Sequence, residues 1–169
     1  MTDDELKLFK ERLDWIEKIG TENMKLHHVS ADNLAKDSAT TLTVLLAGLG
    51  GSLAYAAKAF DEWSSLSAGA SALTVWLSVL SFYLVKKCLM TTAIPQVYNE
   101  PRNFLDKNYT IHELREAELV NLQVRIDDAA KRNANLAKHL NRVRRLAIAS
   151  PVVFATGICL YLAAKACWG

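Results

Sequence analysis

Apolar and polar residues are distributed along this chain in blocks. No Asp, Glu, Lys, Arg or His occurs between Asp37 and Lys58, between Glu62 and Lys86, or between Arg145 and Lys165, leaving uncharged runs of 20, 23 and 19 residues. At a rise of about 1.5 Å per residue each run is roughly 30 Å long, the thickness of a bilayer's hydrocarbon core. The pattern predicts three transmembrane helices, at 38–60, 67–90 and 146–166, with a short turn at 61–66 between the first two. Pro151 falls in the first turns of the third span, where its missing amide hydrogen costs least. A buried or re-entrant helix is the other reading of that segment. Polar residues precede the first run without a short basic leader, so none of the runs reads as a cleavable signal.

The charged segments have helical periods of their own. In residues 1–37, Leu6, Phe9, Leu13 and Ile16 follow a 3, 4, 3 spacing among charged neighbours, predicting an amphipathic helix over 3–19 that Gly20 and "NMKLHHVSADN" interrupt before the first span. In 91–110, Pro95 and Pro101 argue against helix, and Thr110 with Glu113 in "TIHE" has capping-box spacing, so a helix is expected over 111–145. Within it Leu119, Leu122, Ile126, Ala129, Asn133, Leu136, Leu140 and Val143 alternate by 3 and 4. That is a coiled-coil seam, with Asn133 at the polar position that sets register. Two readings follow: self-association of copies through Leu119, Leu122, Ile126, Asn133, Leu136 and Leu140, which is favoured, or one amphipathic helix folded back on its own chain. The fold class is therefore all-α: an integral membrane protein with three spans and cytoplasmic amphipathic and coiled-coil helices.

Composition changes this picture little. The chain has 169 residues, 51% hydrophobic and 22% charged, and a net charge of +2. The distribution of charge says more. Of 20 Lys and Arg, 12 lie from Lys86 to Arg145 and six in residues 1–37, while only Lys58 and Lys165 flank the opposite span ends. The positive-inside rule then places the N-terminus and the 91–145 segment in the cytoplasm, and the turn at 61–66 and the C-terminus outside. Trp63, Tyr161 and Trp168 sit where interfacial aromatics are useful. Cys88, Cys159 and Cys167 have no metal-ligand spacing and read as free thiols.

Two sets of residues are candidates for function. In "SSLSAGASALTVWLSVLS", Ser64, Ser67, Ser71, Thr74, Ser78 and Ser81 are spaced 3, 4, 3, 4, 3, stacking six hydroxyls into one seam of the second span. The seam either packs on the first span, where Gly48 with Ser52, Ala47 with Gly51 and Gly50 with Ala54 supply small residues at i, i+4, or lines an aqueous pore through Ser67, Ser71, Thr74, Ser78 and Ser81. The second set is Arg125, Lys131, Arg132, Lys138 and Arg142 on the 111–145 helix, with "RVRR" before the third span. These read either as a solvated face or as a surface for an anionic ligand such as a nucleotide, an oligonucleotide or a lipid headgroup. No aromatic platforms are interleaved with them, unlike the usual binders of single strands.

Enzymes and carriers find little support. The sequence has no phosphate loop, zinc-ligand spacing or Ser/His/Asp set, and no metal or cofactor is expected. His27 and His28 are adjacent and so lie on different helix faces, and His112 and His139 are isolated. No span has an ionisable residue at its centre to seat coupling-ion chemistry.

The layout as a whole, with "LTVLLAGLGGSLAYAAKAF", "SAGASALTVWLSVLSFYLV" and the 119–143 heptads, resembles small membrane effectors of bacterial antiphage defence. These are the SLATT-type two-span proteins and, with a third span, the channel effector of Hailong systems. The resemblance is architectural, and the third span departs from the two-span pattern. It implies a homo-oligomeric channel of the bacterial inner membrane, with a tetramer favoured on that ground alone, whose opening depolarises the cell. It also implies control by a nucleotide-type signal, a single-stranded deoxyadenylate oligomer in the Hailong case, and no duplex nucleic acid as partner. A holin-like permeabilising protein and a non-conducting scaffold acting through its coiled coil are the alternatives.

Overall fold

A computed structural model describes residues 3–58, 64–90, 94–99 and 109–168. The described residues are helical with no strand: α1 Asp3–Lys58, α2 Ser65–Leu84 running into a π-helical turn Val85–Leu89, α3 Ile111–Ile148 and α4 Ser150–Trp168. Three helices are long and apolar enough to cross a membrane: α1 through its uncharged C-terminal part, α2 with its π turn, and α4. The chain divides into two compact units, one built from Met1–Asn33 and Thr92–Asn135, the other from Leu34–Thr91 and Leu136–Gly169.

The break expected at Gly20 does not exist. α1 is a single helix of 56 residues, and the N-terminal helix and first span are parts of it. The reason is visible in the first unit. Gly20 faces α3, where a Cβ on it would come within 2.8 Å of Leu122 Cδ2, so glycine serves there as a small contact residue. Its modest helix-propensity cost, about 1 kcal/mol, is outweighed by the packing around it.

In this first unit the N-terminal parts of α1 and α3 run parallel. Arg115 donates to Asp14 and Glu17, at 2.5 and 2.7 Å, Gly20 meets Leu122, and Asn133 Nδ2 donates to the His27 carbonyl at 2.8 Å. Met24, Leu122, Ile126 and Ala129 form the buried core, with Val97 packed on it. Residues 94–99, non-helical as Pro95 predicts, run along the pair in the direction opposite to α1: His28 Nε2 donates to the Pro95 carbonyl at 3.1 Å and Asn99 Nδ2 to Glu118 at 3.1 Å. Pro101 lies outside the described residues. The predicted capping box starts α3: Thr110 N–H donates to Glu113 Oε2 at 2.8 Å, and the Glu113 N–H to Thr110 Oγ1 at 3.4 Å.

The second unit holds the rest of α1, α2, the end of α3 and α4. Its core is Leu45, Leu77, Leu80, Leu84, Leu140 and Val143. α2 runs antiparallel to α1, Leu77 touching Gly48 and Thr74 touching Ser52. Arg144 on α3 donates to Asp37 at 3.1 Å and to Thr41 at 3.3 Å on α1. The third apolar helix begins at Ser150, four residues later than the sequence boundary, because α3 continues to Ile148 and the chain breaks at Ala149. Pro151 lacks the N–H that would bond the Ala147 carbonyl; Val152 and Val153 instead donate to Ala149 O, at 3.0 and 3.2 Å. α4 crosses α2 closely: a Cβ on Gly157 would lie 2.8 Å from Ala72 Cβ and 3.0 Å from Gly69 Cα.

Candidate functional site

The hydroxyl seam of α2 is largely consumed by the fold of its own chain. Ser64 caps the helix, and Ser67, fully buried, completes a capping box with it, so this hydroxyl closes the helix start. Ser71 donates to the Ser67 carbonyl at 2.9 Å and Ser78 to the Thr74 carbonyl at 2.8 Å, each satisfying its hydroxyl on its own helix. Thr74 Oγ1 lies 2.8 Å from Ser52 Oγ on α1 and 2.9 Å from the Ala70 carbonyl, while Ser52 donates to Leu49. Ser81 is buried, and its hydroxyl has no hydrogen-bond partner among the described residues. Among the five residues considered as pore lining, only Ser78 is exposed and Ser71 and Thr74 are half-buried. Within one chain, Thr74 against Ser52 is the seam's hydroxyl contact with the first span, while Gly48 meets Leu77. Gly50 and Gly51 meet nothing within 4 Å.

The heptad seam of α3 is likewise used within the chain. Leu122, Ile126 and Asn133 are buried in the first unit, Leu140 is buried in the second, and Leu119 and Leu136 are half-buried. Of the two readings, the fold-back one describes these contacts. Within the chain, Asn133 donates to the His27 carbonyl and so sets register between α1 and α3.

The basic residues divide between the units. Arg125 is mostly buried and bound to Glu118 at 2.5 Å, Arg132 approaches Asn133 Oδ1 at 3.5 Å, and Lys131 is exposed. Lys138 and Arg142 belong to the second unit, where with Arg145 and Leu146 they line a shallow cavity of about 330 Å³. Arg142 lies over the Tyr83 ring, 6.0 Å from its centre, and the Tyr83 hydroxyl is hydrogen-bonded to His139 Nδ1 at 2.8 Å. Three of the five thus belong to the first unit and two to the second. In the first unit a cavity of about 260 Å³ lies between Tyr98, Leu114 and Leu119, with Arg115 and Glu118 at its polar edge. Arg115, its charge held more firmly by hydrogen bonds to Asp14 and then Glu17, is already neutralised there.

One feature escaped the sequence reading. The inner face of α1 follows a continuous 3, 4 register through Gly20, Met24, His27, Ala31, Leu34, Ser38, Thr41, Leu45, Gly48 and Ser52, of which Met24, Ala31, Ser38, Leu45 and Ser52 are buried. About 150° round the helix, Leu8, Trp15, Ile19, Leu26 and Val29 keep the same spacing on the outside, 69, 63, 43, 67 and 55% exposed. The register continues with Thr40, Thr43, Ala47, Gly50 and Ala54, all exposed, and is interrupted by Arg12, Glu22, Asn33 and Lys36. In a simple helix pair these outward positions hold charged residues. A search for a second 3, 4 register in antiphase with the first would have found the stripe. Cys159 and Cys167 are exposed and Cys88 half-buried, all as free thiols. Among the described residues no group of His, Cys, Asp or Glu is arranged to hold a metal.

No known family, curated protein or solved structure matches this chain.

Proposed function

We propose that this chain is the subunit of a homo-oligomeric membrane channel, inserted by three spans with its N-terminus and α3 in the cytoplasm, and that the outer stripe of α1 joins the copies. The observation that carries this reading is the change in character of that stripe without a change in its spacing. Over Leu8 to Val29 it consists of large apolar side chains, which associate helices in water; from Thr40 to Ala54, in the uncharged run, it consists of small and hydroxyl-bearing ones, which associate helices in lipid. The seam of α3 is occupied within the chain, which leaves the outer face of α1 to other copies. On this reading the polar wall of the path moves from Ser67, Ser71, Thr74, Ser78 and Ser81 to Thr40 and Thr43, which are exposed beside the joint between copies. Their hydroxyls, like those of Ser71 and Ser78, also donate to their own helix, to the Lys36 and Ala39 carbonyls.

The resemblance to antiphage effectors supplies the setting, depolarisation of the bacterial cell under a nucleotide-type signal. The test is membrane potential, read with a voltage-sensitive dye in bacteria expressing the chain alone. The native chain is expected to depolarise the cell, Thr40→Leu/Thr43→Leu to abolish depolarisation at unchanged membrane content, and Ser71→Leu/Ser78→Leu to leave it largely intact. Loss in the second variant only would return the pore to α2. No depolarisation by any of them would leave the non-conducting scaffold.

A further inference from the structure

The run of basic residues at the end of α3 is sorted by side. Arg144 turns to α1, where Asp37 and Thr41 take its guanidinium. Lys138, Arg142 and Arg145 are spaced i, i+4, i+7 and so share another face, all three exposed. Among the described residues no carboxylate pairs with any of the three. They converge on the shallow cavity that Leu146 closes at its apolar end. Arg142 also has an aromatic neighbour: its Cζ lies 6.0 Å from the centre of the Tyr83 ring, and Tyr83 is hydrogen-bonded to His139 on α3. A guanidinium beside an aromatic ring keeps its N–H groups for a ligand, and three cations with no carboxylate partner among the described residues set the charge of that ligand as negative.

We infer that Lys138, Arg142 and Arg145 form a binding site for a phosphate-bearing anion, and that the phosphate is the headgroup of an anionic lipid. The positive-inside rule alone would explain the presence of these charges, but not their convergence on one cavity with Tyr83 beside Arg142. The choice of a lipid rests on the membrane reading above and on position. The cluster stands one to three turns before Ser150, where α4 begins, and the apolar edge of the cavity, Leu146, is followed by Ile148, 79% exposed. A headgroup phosphate held by the three cations has its acyl chains beside that apolar edge.

The test uses the full chain in nanodiscs of phosphatidylcholine with about one fifth phosphatidylglycerol, with retained lipid counted by native mass spectrometry. A second arm adds inorganic pyrophosphate to the protein in phosphatidylcholine discs and in detergent, read as a rise in melting temperature. The native chain is expected to enrich phosphatidylglycerol, and Lys138→Gln/Arg142→Gln/Arg145→Gln to lower the enrichment about tenfold or more. Lys86→Gln/Lys87→Gln, which removes two exposed charges at the end of α2, should retain it. Stabilisation by pyrophosphate without lipid enrichment, lost in the triple variant, keeps the phosphate site but assigns it to a soluble ligand. Equal loss in both variants would mean diffuse attraction and overturn the site, as would no enrichment and no pyrophosphate response in the native chain. A chain that fails to enter discs contradicts the membrane reading, and the detergent arm then decides the site alone.

Discussion

The α1–α3 contact of the first unit and the α2–α4 contact of the second pack helices with different side chains. Where α1 meets α3 in the first unit, the core is Met24, Leu122, Ile126 and Ala129, large groups flanked by Arg115 with Asp14 and Glu17. Where α2 meets α4 in the second, glycine crosses glycine, Gly157 against Gly69, and backbone approaches backbone. In water, burying large apolar surface drives association by about 25 cal/mol per Å². Between apolar helices that gain disappears, and close approach with dispersion and hydroxyl contacts takes over. The close α2–α4 approach fits the membrane placement proposed for these two helices. α4 makes the point again, since only 6% of its apolar window is buried and it carries Val152, Leu160 and Leu162 on its surface.

The two glycine positions give the strongest test of this contrast. Gly157→Ala places a methyl 2.8 Å from Ala72 Cβ, 3.0 Å from Gly69 Cα and 3.1 Å from the Ala68 carbonyl, so backbone must move. A loss of about 3 kcal/mol or more is expected, read by thermal unfolding in detergent. Gly20→Ala meets the far end of Leu122, which can rotate, so its steric cost and its gain of about 1 kcal/mol in helix propensity nearly cancel. Equal losses at the two sites would erase the distinction. Next in size is Leu122→Ala, expected to cost about 2–4 kcal/mol by opening a cavity in the first core.

Smaller effects separate the polar contacts. Asn133→Ala removes the donor to the His27 carbonyl and should cost about 1 kcal/mol, whereas Asn133→Leu should keep stability but permit slippage, seen as scattered disulfide cross-links between cysteines placed across α1 and α3. Thr74→Val, its counterpart in the second unit, should cost about 0.6 kcal/mol in detergent unfolding.

The smallest change concerns the start of α3. Thr110 N–H, and then the Thr110 hydroxyl, hold Glu113 below the ordinary carboxylate pKa. A depressed pKa stabilises the fold above the unfolded carboxylate's pKa and loses that contribution as pH falls through the folded value. Amide exchange in the first turn of α3 should therefore quicken only in acid, below the usual Glu range, and not in Glu113→Ala, where it is already fast.

Half of each helix pair was legible in the sequence. The seam of α3 announces itself through Leu122, Ile126, Leu140 and Val143, and its capping box through Thr110 and Glu113. The matching seam of α1 does not, because Gly20 and His27 stand at contact positions that a reading by hydrophobicity takes for a loop, and Ser38 and Thr41 open the first span without an apolar period. The uncharged runs predicted which helices are long and apolar enough to cross a membrane. Which residues face one another within them was not predictable from the Ser/Thr period, since Ser67 and Ser71 return their hydroxyls to their own backbone. Gly157, a lone glycine in "FATGICL", gave no period at all.

The break before Pro151 has one more consequence on the proposed topology. The Ala147 carbonyl faces a residue with no hydrogen to give, and an unsatisfied carbonyl in hydrocarbon costs several kcal/mol. On that topology it sits best within reach of water or headgroups, which opposes an inward slide of α4 by a turn. A missing proton thus works as a depth gauge for the last helix.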